Sequence, residues 1–167
     1  ELVAGVATAL EARVDMFNPQ ECANTMSGFA KCVSVAREDA ERGAKVLASR
    51  LKRDKTWMTD GQFQCQHVSN VVWACAKLNM NDDAELIDVL VRASDAYSTK
   101  FNSQELSMVL WGFATLAVSD HKIMHTLAKS MARKVDESSA QQMATAAHAL
   151  AKIGVYNSQL VKAYKER

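Results

Sequence analysis

The sequence predicts an all-α protein, an α-solenoid of tandem antiparallel helix pairs in about four repeats of 37–46 residues. Three observations predict it. The first is a segment written four times, at residues 17–31, 63–77, 101–115 and 138–152, with steps of 46, 38 and 37 residues between copies. Self-similarity at that period marks stacked supersecondary units, none of which can bury its apolar face alone. The second is helical spacing of apolar residues within and between the copies. The third is composition. Hydrophobic residues at 49% of 167 suit a globular core, while one proline and six glycines are too few for the tight turns of an all-β fold.

The whole chain divides as one helical array: residues 1–15, the second helix of a preceding repeat; 17–62, repeat 1; 63–100, repeat 2; 101–137, repeat 3; and 138–167, repeat 4, incomplete. Each copy opens on a helix start. Asn18 and Asn102 suit the N-cap, with Glu21 and Glu105 three residues on to complete a capping box. Pro19 falls at the first helical position, where its missing N–H costs nothing. Ser139 and Gln142 fit the same pattern, and Gln64 with His67 is a weaker version.

In the first helix of each pair, helix A, the apolar face runs Cys22, Met26, Phe29 and Val33; then Val68, Val72, Cys75 and Leu78; then Leu106, Leu110 and Phe113; then Met143, Ala147 and Leu150. Small residues recur beside it at Ala23, Ser69, Ser107 and Ala144, at Gly28, Ala74, Gly112 and Ala149, and at Ala30, Ala76, Ala114 and Ala151. They let neighbouring helices approach closely. The second helix, helix B, is anchored by Leu47 and Leu51, Leu86 and Leu90, Ile123 and Leu127, and Leu160 and Tyr164. Asp82 with Glu85, and Ser119, mark two of its starts. Leu2 and Val6 stand at the matching offsets ahead of Phe17. The extra length of repeat 1 falls at residues 53–62, a surface loop that is either a tolerated insertion or functional. Both ends look like interior repeats without polar caps, so a longer solenoid, or ends covered by partners, is expected. Glu1 in place of an initiating Met fits a processed precursor or an incomplete start.

Net charge is +1, so no global field draws the chain to nucleic acid or anionic lipid. Apolar runs are short, and no transmembrane span is expected. Cys22, Cys32, Cys65 and Cys75 form two pairs ten apart, a step that rotates a helix by about 1000° and puts the members on different faces. They are read as buried small hydrophobes. His121 and His125 have the i, i+4 spacing of metal ligands, but no third ligand accompanies them. No phosphate-cradling glycine loop or nucleophile elbow occurs. Asp82, Asp83 and Glu85 suit a helix start, and Arg50, Lys52, Arg53 and Lys55 a helix end. Neither an enzyme nor a cofactor is expected.

Opposite the apolar face, helix A carries a second stripe: Gln20, Asn24, Ser27 and Lys31; Gln66, Asn70, Trp73 and Lys77; Gln104, Met108, Trp111 and Thr115; Gln141, Thr145, His148 and Lys152. Amides satisfy donor and acceptor positions on a base edge, aromatic rings stack on bases, and lysine meets phosphate. These side chains point to single-stranded RNA. The competing reading wedges Trp73 and Trp111 between adjacent repeats and leaves the glutamines as solvated helix formers.

The segments Asn18-Pro-Gln-Glu-Cys-Ala-Asn24, Trp73-Ala-Cys-Ala-Lys-Leu78 and Gln104-Glu-Leu-Ser-Met-Val-Leu-Trp-Gly-Phe-Ala-Thr-Leu116 resemble the octotricopeptide repeat, related to helical repeats in RAP-domain and FAST-kinase-like organellar proteins. Ser27 and His148 stand where that repeat has tryptophan. The resemblance implies an α-solenoid in a mitochondrion or plastid that binds single-stranded or ribosomal RNA. It implies work in transcript processing, stability or translation, or within an organellar ribosome. A non-catalytic scaffold that meets other protein subunits of a large complex is the alternative.

Overall fold

The computed structural model describes residues 1–58 and 60–167, with Lys55 and Met58 described by their backbone alone. Among these residues every regular element is helical: α1 (Leu2–Arg13), α2 (Pro19–Cys32), α3 (Arg37–Arg53), α4 (Cys65–Lys77), α5 (Ala84–Tyr97), α6 (Ser103–Thr115), α7 (His121–Ala132), α8 (Ala140–Lys152) and α9 (Ser158–Glu166), with short 3-10 turns between some of them. No helix is long and apolar enough to cross a membrane.

The repeated starts are built by local hydrogen bonds. Asn18 Oδ1 accepts from the Glu21 N–H at 2.9 Å while Glu21 Oε2 accepts from the Asn18 N–H at 2.8 Å. Asn102 with Glu105, and Ser139 with Gln142, close the same reciprocal box on α6 and α8. On α4 the box is looser: His67 Nδ1 accepts from the Gln64 N–H at 3.2 Å, and the His67 N–H donates to the Gln64 carbonyl at 3.0 Å. Two expected B-helix starts move one residue along. Asp83, not Asp82, caps α5 through the Leu86 N–H, and Asp120, not Ser119, caps α7 through the Lys122 and Ile123 N–H groups. In each case the carboxylate there reaches the free amides of the first turn.

Helix A ends alike in three copies. Asn79, Ala117 and Gly154 take left-handed φ values of 53°, 55° and 69°. Behind them the N–H of Met80, Val118 and Val155 returns to the carbonyl of Cys75, Phe113 and Leu150. This reversal sends the chain back as helix B. In the first copy Val33 stands at that position with φ −58°, a β-branched residue that resists the left-handed region.

Helices α2, α4, α6 and α8 pack side by side in chain order as one layer, and α1, α3, α5, α7 and α9 form the other. Between them lies a continuous core that includes Met26, Leu47, Val72, Leu86, Leu106, Phe113 and Leu127. Through the middle of the array the A helices contact one another more extensively than the B helices do. Tyr97 Oη donates to the Phe63 carbonyl at 2.7 Å and Tyr164 Oη to that of Met143 at 3.1 Å, tying B helices to A-helix starts. In the B layer Arg42 pairs with Glu11 at 2.8 Å and Lys52 with Asp83 at 2.7 Å.

Several sequence expectations need correction. Leu2 and Val6 are not anchors: they are 81% and 41% exposed, because α1 packs on α3 and buries Ala7 and Leu10 instead. Ala147 is exposed and Ala146 is buried in its place; Ala144 and Ala151 are exposed too, although their counterparts in the other copies are buried. That flank of α8 borders an open groove toward α9 instead of a neighbouring helix A among the described residues. Cys22 and Cys75 are buried, whereas Cys32 and Cys65 are only half-buried. The stretch expected as a surface loop is mostly exposed among its described residues, and it adds a 3-10 turn, Lys55–Met58, with Trp57 against the core and the Arg50 guanidinium 4.1 Å over its ring. Thr59, within that stretch, lies outside the described residues.

Candidate nucleic-acid interface

The stripe of helix A is mostly open. Gln20, Asn24 and Lys31 on α2, Gln66 and Lys77 on α4, Gln104 on α6, and Gln141, His148 and Lys152 on α8 are exposed; Asn70, Trp73, Met108, Trp111, Thr115 and Thr145 are half-buried. Ser27 is the exception. It is buried, and its hydroxyl has no hydrogen-bond partner among the described residues. Gln66 and Gln104 fall on the same layer, as equivalent positions of adjacent stacked helices should.

Three of the four stripes converge. A groove of about 610 Å³ is lined by Trp73 and Lys77 of α4, Gln104, Ser107, Met108 and Trp111 of α6, and Gln141, Gln142 and Thr145 of α8, with Ser139 at the start of α8. Gln20, Asn24 and Lys31 lie outside it on α2, as do Gln66 and Asn70 on α4 and His148 and Lys152 on α8. The close approach that forms the groove has a local cause. A Cβ built on Gly112 would lie 2.6 Å from Val72 Cγ1, so the glycine sets how near α6 comes to α4. That spacing brings an indole from each helix to the same groove.

The two tryptophans combine both sequence readings. Each packs partly against the core, and each keeps a side on the groove. Between them sits one ammonium. Lys77 Nζ lies 5.8 Å from the Trp73 ring centroid and 5.5 Å from that of Trp111, within cation–π range of both. The i, i+4 pairing with Trp73 is legible in the sequence; the second contact, across helices, is not.

Ser107, Ser139 and Gln142 also line the groove, although the sequence marks them only as packing and capping residues. Their polar atoms are largely committed. Ser107 Oγ donates to the Gln104 carbonyl at 2.8 Å, and Gln142 Oε1 takes the Ser139 N–H at 2.8 Å and the Ser103 hydroxyl at 3.1 Å. The side-chain amides of Gln104 and Gln141 have no such commitments among the described residues and remain available to a ligand. Among the described residues no carboxylate lines the groove, and Lys77 is its one cation. Stacking faces, free amides and a single positive charge suit an aromatic, hydrogen-bonding, weakly anionic ligand.

Other candidate chemistry stays dispersed. His121 and His125 are exposed on α7, and among the described residues no group of three His, Cys, Asp or Glu side chains is placed to hold a metal. Burial pushes the Cys22 thiol up to about 11 and the Cys75 thiol up to about 12, which leaves both protonated at neutral pH.

A family model described as RNA-editing substrate-binding complex 6 protein (RESC6) matches residues 1–167, and the chain belongs to that family. None of the curated proteins matches it. The family sets the protein's context as a helical component of an RNA-associated complex. Octotricopeptide-repeat membership stays a resemblance.

Proposed function

We propose that this protein binds single-stranded RNA on its helix A surface, as a non-catalytic subunit of an RNA-editing assembly. The observation that carries the reading is the groove where the stripes of three consecutive repeats meet, holding Trp73, Trp111 and two uncommitted glutamine amides. Family membership supports the RNA setting. The resemblance to the octotricopeptide repeat supports a mitochondrial or plastid location and a contribution to transcript processing, stability or translation, ribosomal RNA included.

Binding of a fluorescently labelled single-stranded RNA, followed by anisotropy, tests it. Trp73→Ala and Trp111→Ala should each weaken binding by about 1–3 kcal/mol, the range for loss of one base–aromatic stack. Both rings are half-buried, so circular dichroism should accompany each variant. A wild-type protein that fails to bind single strands at low salt rejects the reading.

A second reading, the protein scaffold, is favoured by a different surface. An apolar groove of about 360 Å³ between α8 and α9 includes Ala147, Ala151, Tyr156 and Val161, and Tyr156 is 70% exposed. Tyr156→Glu should then strip protein partners from the purified assembly and leave RNA binding unchanged; retention of every partner rejects this reading.

A further inference from the structure

Four bases differ in the edges that they offer, and the groove differs in what it can offer back. Paired amide donor and acceptor suit the N6 and N7 positions of adenine; a lysine or arginine suits guanine O6 and N7; a carboxylate suits the cytosine N4 amine. The groove has two free glutamine amides, from Gln104 and Gln141 on adjacent helices. Its one cation, Lys77, is already engaged with two indole faces. Among the described residues it has no carboxylate. A purine also presents a larger face than a pyrimidine to Trp73 and Trp111.

Building on the RNA-binding reading above, we propose that the groove between α4, α6 and α8 selects adenine-containing single strands, with Gln104 and Gln141 reading base edges and Trp73 and Trp111 supplying stacking faces. Lys77 stays with the two indoles, 5.8 and 5.5 Å from their centroids, and supplies positive charge for the backbone phosphate beside a bound base. Adenine selection in this arrangement comes from side chains that have no role in building the helix layer, because Gln104 and Gln141 are exposed and bond to no other described side chain.

The experiment compares labelled ten-nucleotide RNAs of A, U and C by anisotropy at one fixed salt concentration, with the 167-residue chain and a Gln104→Leu/Gln141→Leu variant. The A strand should bind the wild type at least about fivefold more tightly than the C strand, the lower end of discrimination by a bidentate amide contact. The variant should lose most of the preference for A over C, keeping only what the larger purine stack gives, while still quenching tryptophan fluorescence. Wild-type binding that is equal for all strands, or tightest for U or C, overturns the adenine assignment and leaves the RNA-binding reading standing. Failure of the wild type to bind any strand overturns both.

Discussion

Gly28 and Gly112 are equivalent positions of two repeats, yet they have opposite surroundings. A Cβ on Gly28 meets nothing within 4 Å, so Gly28→Ala should stabilise the fold by about 0.5–1 kcal/mol through helix propensity alone. A Cβ on Gly112 would fall 2.6 Å from a Val72 methyl and 3.2 Å from the Val72 carbonyl oxygen, which is backbone and cannot swing away. Gly112→Ala should therefore cost about 1–3 kcal/mol by overpacking. Urea unfolding of the two variants beside the wild type decides it, and equal effects of the same sign would contradict the packing argument. The sequence shows that both positions are small but not which one a neighbouring helix covers, since that depends on a contact between residues 40 positions apart. The thiols make a related point. Four cysteines look alike in a repeat alignment, but burial raises the thiols of Cys22 and Cys75 to about 11 and about 12, and raises that of the half-buried Cys65 as well. A thiol reagent at pH 8 should label Cys32 first and Cys65 more slowly in the folded protein, and reach the buried Cys22 and Cys75 only on unfolding. Mass spectrometry of the labelled peptides reads the order directly.

Helix starts and ends were legible to different degrees. The capping boxes on α2, α6 and α8 are written locally, three residues apart, and the sequence shows them plainly. The shared left-handed turn after helix A carries no common residue type, because Asn79, Ala117 and Gly154 fill one conformation with three side chains. Its trace is an apolar residue on either side of each, as in Leu78 and Met80, a signal too faint to fix φ. Ala117 holds φ 55° without the freedom of glycine. Ala117→Gly should raise stability by up to about 1 kcal/mol, and Gly154→Ala should lower it by a similar amount. Thermal melts of both variants test that; a destabilised Ala117→Gly would show that the turn is not the strained element. The start of α4 should respond to pH. Burial lowers the His67 pKa from 6.5, so the folded protein holds this proton less tightly than the unfolded chain. As the pH falls past about 6.5 the unfolded state takes up the extra proton, and the stability that neutral His67 contributes above that pH is lost below it. Protonation at Nδ1 also removes the acceptor for the Gln64 N–H. In His67→Gln, which restores the pairing type of α8, the stability change between pH 7 and 5 should be smaller than in the wild type by urea titration.

At the scale of the molecule the stack turns four separate stripes into one surface, and the sequence told more about the stripes than about the surface. Spacing alone placed a glutamine opposite the apolar face of every helix A, a tryptophan there on two of them and a lysine on three. It did not show that the Trp73, Gln104 and Gln141 stripes form a groove while the first copy stays outside it, because that follows from how each helix leans on the next. Charge is the other whole-molecule property. With a net charge of +1, attraction to a polyanion has to come from particular lysines and not from the overall field. Lys31, Lys77 and Lys152 sit in the last turns of α2, α4 and α8, exposed and in register along the A layer. Each phosphate that such a lysine neutralises on a single strand contributes about 0.7 to the slope of log affinity against log salt. If the strand runs along the stack, Lys77→Ala should reduce that slope by about 0.7, and the triple Lys31→Ala, Lys77→Ala, Lys152→Ala variant by about 2. If it occupies the groove alone, the single and triple variants should share one slope, since only Lys77 reaches it. Anisotropy titrations of one single-stranded RNA at four salt concentrations distinguish the two cases. A wild-type slope unchanged in the triple variant would place the strand on another face of the array altogether.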